Sequence, residues 1–268
     1  MKNRAMKVSE VQEVILHLVL DITTFMTQNN RPVFLLGGSL LGFERHGGFI
    51  PWDDDFDLGM KRDDYEWFLN NYQPNKDGVE LISEGDKRSF FPYTRVTDTH
   101  TRAVSEFYVQ NMGIFVDVFP IDTFVNKGFE VRRFLFTHKI LNVLRNAARS
   151  TGKHAPDAKF ILLKKVLELI IPVQMTNYFA RLELKHADTF IKKFNKSGSE
   201  QRVSGVMNGM YGKREFFPSE YWDEYKIVDF LGVKVAVIDQ ADSYLTQMFG
   251  NWRIPKKQSN QHAKFYKK

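Results

Sequence analysis

Four aspartates fall within five positions, Asp53, Asp54, Asp55 and Asp57, in the stretch IPWDDDFDLGM. Alternate residues of an extended chain share a face, so Asp53, Asp55 and Asp57 point one way and Asp54 the other. Phe56 and Leu58 alternate with the acids. A strand with one apolar face and one carboxylate face repels itself unless a cation neutralises it, and hard cations prefer carboxylate oxygens. The ordinary alternative is a solvated acidic turn or a helix-capping cluster. A calcium loop does not fit, because its sixth position would be Leu58 instead of glycine and its twelfth Asp64 instead of glutamate. A further acid, Asp117, interrupts the apolar run GIFVDVF. A lone charge there is costly unless it is paired or metal-bound. A structural aspartate capping a turn is the alternative, and it suits Asp122 better. Two aspartates on one strand and a third on a neighbour form a set able to hold two Mg²⁺ ions. One would lower the pKa of an acceptor hydroxyl and the other would steady phosphates.

These acids need elements to hold them. Val33–Leu36 reads as a buried strand ending in Gly37-Gly38-Ser39, and Ser39–Arg45 reads as a short helix. A glycine turn opening a helix can cradle phosphate. Gly-Gly by itself often marks only a tight turn. It is not a Walker loop, since no Gly-Lys-Ser/Thr follows, nor a dinucleotide fingerprint, since the third glycine is missing. After the turn His46-Gly47-Gly48, Pro51-Trp52 leads into the acidic strand, which is expected to run to about Met60. Upstream, Val8–Asn29 has apolar residues at helical spacing, broken by Arg31-Pro32. Asp63 is the expected N-cap of a helix reaching Asn71. Strand-like pieces follow at Val79–Ser83, Phe91–Thr97, Thr101–Phe107 and Gly113–Phe119. Past Pro120 the pattern becomes helical over Phe129–Arg149, Ala158–Val173 and Thr176–Phe194. Loops are expected at Ser150–Pro156 and Asn195–Gln201. Short strands are expected within Tyr211–Val237 and a last helix over Asp239–Phe249, and the basic tail from Lys256 reads as poorly ordered. This order predicts an α/β fold of the α+β, mixed-sheet kind. Residues 1–127 would form a catalytic core with an N-terminal helix, 128–204 a helical subdomain, and 205–268 a segment completing a single catalytic unit.

The 268 residues, 43% hydrophobic, suffice for a sizeable core. No cysteine is present, which excludes disulfides, a thiol nucleophile and a Cys-built zinc site. A reducing cytosol fits that composition, and a cytoplasmic location is expected. No signal-like N-terminus or run of membrane-spanning length is seen. The net charge is +6 with pI near 9.3. A solvated basic surface is favoured over nucleic-acid binding, and a nucleotide substrate or an anionic lipid face would also suit it.

The stretch GGSLLGFERHGGFIPWDDDFDLGM closely resembles the signature of the LicD family of phosphotransferases. That family includes bacterial phosphocholine transferases and, more distantly, fukutin-type enzymes. Weaker agreement continues through GIFVDVFPID, KREFFP and YLTQMFGNWRIP, while Phe129–Ser204 agrees only in position and helical character. The resemblance implies a nucleotidyltransferase-like catalytic core with a helical subdomain. It places the turn at Gly38-Ser39, next to Gly37 as a further phosphate-binding candidate, the metal-binding pair at Asp55 and Asp57, and the third carboxylate at Asp117, with Asp53 assisting. It also implies transfer of phosphocholine or a related alditol phosphate from CDP-choline or a similar CDP-alditol. The acceptor would be a sugar hydroxyl of a surface glycan precursor, expected to be lipid-linked, and CMP would be released. One or two Mg²⁺ ions, or Mn²⁺, are the implied cofactor. Teichoic acid, lipopolysaccharide and capsule remain open as acceptors. Lack of cysteine departs from the fukutin-type zinc site and favours the bacterial branch. Phe43 and Glu44 replace residues that are often Ala and Val in the signature.

That chemistry needs positive charge around a pyrophosphate and a base near the acceptor. Arg45 and His46 are candidates to reach donor phosphates, with a surface helix-end cation the alternative for Arg45. Arg95 is another phosphate candidate, set against an ordinary strand-surface arginine. Asp117 is the expected general base. Trp52 and Tyr93 are candidates for stacking on cytosine or facing the choline ammonium, with core packing the more ordinary role for both. Ala158–Met175 reads as a core helix of the subdomain, or as an interfacial helix at the inner membrane face. A nucleotidyltransferase that leaves a nucleotide on its target and a non-catalytic glycan-binding module are the competing functions.

Overall fold

The computed structural model describes residues 4–154, 161–195, 201–256 and 263–268. Helix α1, Val8–Gln28, buries Val11, Ile15, Leu18, Val19, Ile22 and Met26, the positions its apolar spacing selects. This stripe packs on a mixed sheet whose first strands are β1 (Phe34–Leu35), β2 (Asp57–Lys61), β3 (Val79–Ile82), β4 (Thr94–Asp98) and β6 (Phe115–Val125), while β5 (Thr101–Val104) lies outside it in a separate two-stranded sheet. Helix α2 (Gly37–His46) links β1 to β2, and α3 (Arg62–Asn71) follows β2. After β6 come α4 (Gly128–Ala148), α5 (Ile161–Ile170) and α6 (Thr176–Phe194). The C-terminal part contributes β7 (Arg202–Gly205), β8 (Phe216–Pro218), β9 (Tyr225–Phe230), β10 (Val233–Ile238), α7 (Ala241–Phe249) and β11 (Lys264–Lys267).

The main path through the sheet runs β3-β4-β6-β2-β1-β10-β9, and β7, carrying β8, pairs with the far end of β6. Contacts β2–β6 and β1–β10 are parallel and the others antiparallel. Strands near the chain's end therefore sit beside β1 in the same sheet. Their core is shared with α1 and α7, through Val235, Val237, Tyr244 and Leu245 among others. Helices α4 and α6 build a smaller core on β6 around Phe124, Phe134 and Phe190.

Several elements differ from the sequence expectation. The acidic segment is regular strand only from Asp57 onward, with Asp53–Phe56 leading into it. Its burial still alternates, with Asp54, Phe56 and Leu58 buried and Asp53, Asp55 and Asp57 half-buried. Asp63 is not an N-cap. Lys61 holds that position without a side-chain capping bond, and Asp63 and Asp64 lie in the first turn, where the helix dipole favours acids. The strand expected to end at Phe119 continues through Pro120 to Val125, because its later half pairs with β7. The tail is not structureless at its end, since β11 pairs with β5 from Lys264↔Val104 to Lys267↔Thr101. Helix α5 is not a core helix, because none of its ten residues is buried. Parts of the expected loops Ser150–Pro156 and Asn195–Gln201, the start of Ala158–Val173 and the beginning of the tail lie outside the described residues.

Candidate active site

The acids meet where three neighbouring strands come into register. Asp57, first residue of β2, lies beside Asp117 of β6, and Asp117 faces Arg95 of β4. Adjacent strands are separated by about 4.8 Å, so Arg95, Asp117 and Asp57 make a row across one face. Asp55 precedes Asp57 by one pleat, on the same side. Asp54 turns inward and accepts the Ala263 N–H at 3.4 Å. Asp117 is 6% exposed and Arg95 5%. The guanidinium grips the carboxylate twice, Nε to Oδ1 at 2.6 Å and Nη2 to Oδ2 at 3.2 Å. Phe91 and Phe115 cover the guanidinium at 3.5 and 3.7 Å. Arg95 is thus a buried partner of Asp117, which is neither the free phosphate ligand nor the surface arginine that the sequence offered.

Helix α2 aims its N-terminus at the same row. Gly37 has φ of 46°, a conformation that disfavours side chains, and a Cβ there would stand 2.9 Å from Asp57 Oδ2. A Cβ on Gly38 would stand 3.3 Å from Asp53 Oδ2. The glycines therefore let two carboxylates approach a helix end whose dipole favours them. Ser39 Oγ accepts the Asp57 N–H at 2.8 Å, and Tyr244 Oη accepts the Gly37 N–H at 3.1 Å. An anionic ligand at this turn would meet like charges unless a cation lay between them.

Two further side chains close on the row that sequence reasoning missed. Tyr211 is raised above its usual phenol range by burial, then by the charges of Asp57, Glu215, Asp55 and Asp53. One phenol thus feels all three acids of the expected face. Glu215, 7% exposed, accepts the Tyr211 N–H at 2.5 Å, and burial pushes its carboxyl up to about 8. Gly209 allows that approach, because a Cβ there would lie 1.5 Å from Glu215 Oε2. Glu215 lies in KREFFP and Tyr244 opens YLTQMFG, so the quoted segments contained the only signal. Tyr211 had none.

Other candidates are placed less centrally. Arg45 and His46 end α2, about two turns from Gly37, or about 12 Å at 1.5 Å per residue. Arg45 donates to the Trp252 carbonyl at 2.8 Å and, through Nε, to His46 Nε2 at 2.9 Å. Trp52 meets His46 edge-on at 6.1 Å and packs partly on the core. Tyr93 is half-buried, 4.5 Å from Phe119 and 5.3 Å from Phe91 between ring centroids. Its phenol is raised by burial and by Asp117, and Asp57 adds to this, so it borders the row.

The row offers only carboxylate oxygens, a donor set that fits a hard divalent cation, and Gly37 leaves room for the Asp57 carboxylate. The side chains do not form a closed cage as they stand. Among the described residues no group of three or more His, Cys, Asp or Glu is spaced to hold a metal ion.

The family model described as LicD/FKTN/FKRP, nucleotidyltransferase domain, matches residues 30–148. Those residues contain α2 and all of the Arg95–Asp117–Asp57 row. The chain is similar to a lipopolysaccharide cholinephosphotransferase, LicD, of Haemophilus influenzae, at 24% identity over 256 residues, covering 90% of this chain and 89% of that protein. It is also similar to a ribitol 5-phosphate transferase, FKRP, of Mus musculus, at 38% identity over 87 residues, or 32% of this chain and 16% of that one. An uncharacterised protein of Rickettsia typhi is 39% identical over 59 residues, 22% of this chain and 19% of its own.

Proposed function

Because residues 30–148 belong to the LicD/FKTN/FKRP nucleotidyltransferase family, we propose that this protein is a phosphotransferase acting on a glycan. It moves phosphocholine, or a related alditol phosphate, from a CDP-activated donor to a sugar hydroxyl and releases CMP. The observation that carries this reading is the register of Asp57 with Asp117 at the N-terminus of α2. The full-length similarity to a cholinephosphotransferase supports choline over ribitol as the carried alcohol.

Asp55, Asp57 and Asp117 would hold Mg²⁺, with Asp53 alongside. When bound, the cation offsets the negative charge of the donor phosphates. The acceptor oxygen forms a bond to the phosphorus bearing choline, and the bond from that phosphorus to CMP breaks. Asp117 takes the hydroxyl proton, which requires its grip on Arg95 to loosen at one oxygen. Tyr211, held by Glu215 through its backbone N–H, stands near enough to the row for Asp53, Asp55 and Asp57 to act on its phenol.

Among the described residues no helix is long and apolar enough to cross a membrane. We place the protein in the cytoplasm, touching the inner membrane face through α4 and α5. Phe136 and Ile140 on α4 and Leu162, Val166, Leu169 and Ile170 on α5 are exposed, with Arg132, Lys139 and Lys165 among them. That mixture suits an anionic lipid surface bearing a lipid-linked acceptor.

The test is incubation with Mg²⁺, CDP-choline and a lipid-linked glycan. Free CMP and a phosphocholine-bearing glycan are expected. Cytidine found on the glycan would replace this reading with nucleotidyl transfer.

A further inference from the structure

Three guanidinium groups converge on one ring. The Cζ atoms of Arg95, Arg149 and Arg145 stand 3.5, 4.5 and 5.4 Å from the centroid of Phe91. All three side chains are at least 95% buried. Like charges gathered away from water repel, and each is costly without a carboxylate. Two of them have one. Arg95 grips Asp117, and Arg145 Nε donates to Glu183 Oε1 at 2.6 Å. His138 stands 3.9 Å from Glu183, but burial, then Arg145, hold its imidazole down to about 4, so it is neutral near pH 7.

Arg149 differs. Among the described residues it has no carboxylate partner, and its Nε makes no hydrogen bond. Its guanidinium rests on the rings of Phe91 and Tyr108, the latter at 4.9 Å. Burial, then Arg145 and Arg95, bring it down to about 9, which leaves it charged at neutral pH. Three cations thus share two direct carboxylate partners, Asp117 and Glu183. Folding alone gives no reason to bury the third, whereas an arriving anion does.

The cluster also lies beside the acidic row. Arg95 bridges the two, since its carboxylate partner Asp117 is in register with Asp57. Tyr93, whose ring lies 5.6 Å from the Arg95 Cζ, adjoins both, and Tyr93 and Tyr108 are partly exposed. Solvent therefore reaches the rings that cover the arginines. The fork of a guanidinium matches two phosphoryl oxygens.

We infer that Arg149, backed by Arg95 and Arg145, is the residue that receives a phosphoryl group of the substrate, next to the carboxylate row. That the anion is a phosphoryl group rests on the phosphotransfer reading. The positive charge without a carboxylate does not.

The test is calorimetric titration and thermal melting of wild type, Arg149→Met and Arg149→Lys with CMP, inorganic pyrophosphate and phosphocholine. Wild type should bind at least one probe. Preference for CMP or pyrophosphate assigns the site to the donor's nucleotide side, and preference for phosphocholine to the transferred group. Arg149→Met should lose about tenfold or more in affinity, the worth of a charged hydrogen bond. Its ligand-free melting temperature should equal or exceed that of wild type, because a buried charge without a partner has gone. Arg149→Lys, with charge but no fork, should bind with intermediate strength. Unchanged affinity in Arg149→Met, or no binding of any probe by wild type, overturns the inference. If Arg149→Met does not fold, Arg149→Lys decides, and wild-type affinity there overturns it. Probe binding lost in Arg149→Met without any phosphocholine transfer would leave the anion site standing and remove the phosphotransfer reading. Transfer with unchanged binding in Arg149→Met would do the reverse.

Discussion

The Arg95–Asp117 pair separates stability from function by substitution. Both partners are at least 94% buried, and the guanidinium is sandwiched by Phe91 and Phe115. Asp117→Leu strips Arg95 of its carboxylate inside an aromatic shell. Removing one partner of a buried pair costs about 3–5 kcal/mol. Typical total stability is about 5–15 kcal/mol, so a large part would be lost. At about 2–4 °C per kcal/mol for a chain of this size, the melting temperature should fall by roughly 6–20 °C. Arg95→Met should fall comparably, because it leaves Asp117 beside the like charge of Asp57. The double variant Arg95→Met/Asp117→Leu replaces the pair with apolar groups and should return to within about 1–2 kcal/mol of wild type. Urea denaturation of all four proteins gives the coupling directly. If Asp117 can bind metal, added Mg²⁺ should raise the melting temperature of Arg95→Met more than that of wild type. The double variant should regain stability and remain inactive. Losses in the double variant equal to the sum of the singles would refute the reasoning, as would an Asp117→Leu protein that melts with wild type.

The Glu215 carboxyl, at about 8 when folded against about 4.5 in model peptides, binds a proton in the native state that the unfolded chain lacks between those values. Stability should therefore fall as pH rises from about 5 to 8, and Glu215→Gln should remove part of that slope in melts across pH. Gly37→Ala forces a side chain to φ of 46° and against Asp57, so melting should show a loss of about 1–2 kcal/mol and turnover should drop further. Tyr244→Phe leaves the Gly37 N–H without its acceptor and should cost about 1 kcal/mol in urea denaturation. Leu162→Glu/Leu169→Glu should abolish sedimentation with anionic vesicles while leaving the melting temperature within about 2 °C of wild type, because both side chains are exposed.

Local pattern made α1 and α6 readable to within a residue or two, since their apolar stripes face cores. The alternation of burial from Asp53 to Leu58 was readable for the same reason. Partners from distant parts of the chain were not. Asp117 stood out as an intrusive charge in an apolar run, but nothing local showed that Arg95 would claim it. Arg149 ends a helix, where a cation ordinarily answers the dipole, and only the folded chain shows it buried beside two others. Lys264–Lys267 is basic and short, and it becomes a strand only because β5 offers an edge. The α5 pattern suits a core helix and an interfacial one alike, because hydrophobicity reports a need for cover without saying what supplies it.

The central claim is that the carboxylate row performs the transfer. Its most direct test is phosphorus NMR of CDP-choline turnover by wild type and Asp57→Asn, with melting curves recorded on both. The account predicts CMP and a phosphocholine ester from wild type. It predicts a fall of about a hundredfold or more in Asp57→Asn, with its fold retained. Wild-type turnover in a folded Asp57→Asn protein would contradict it.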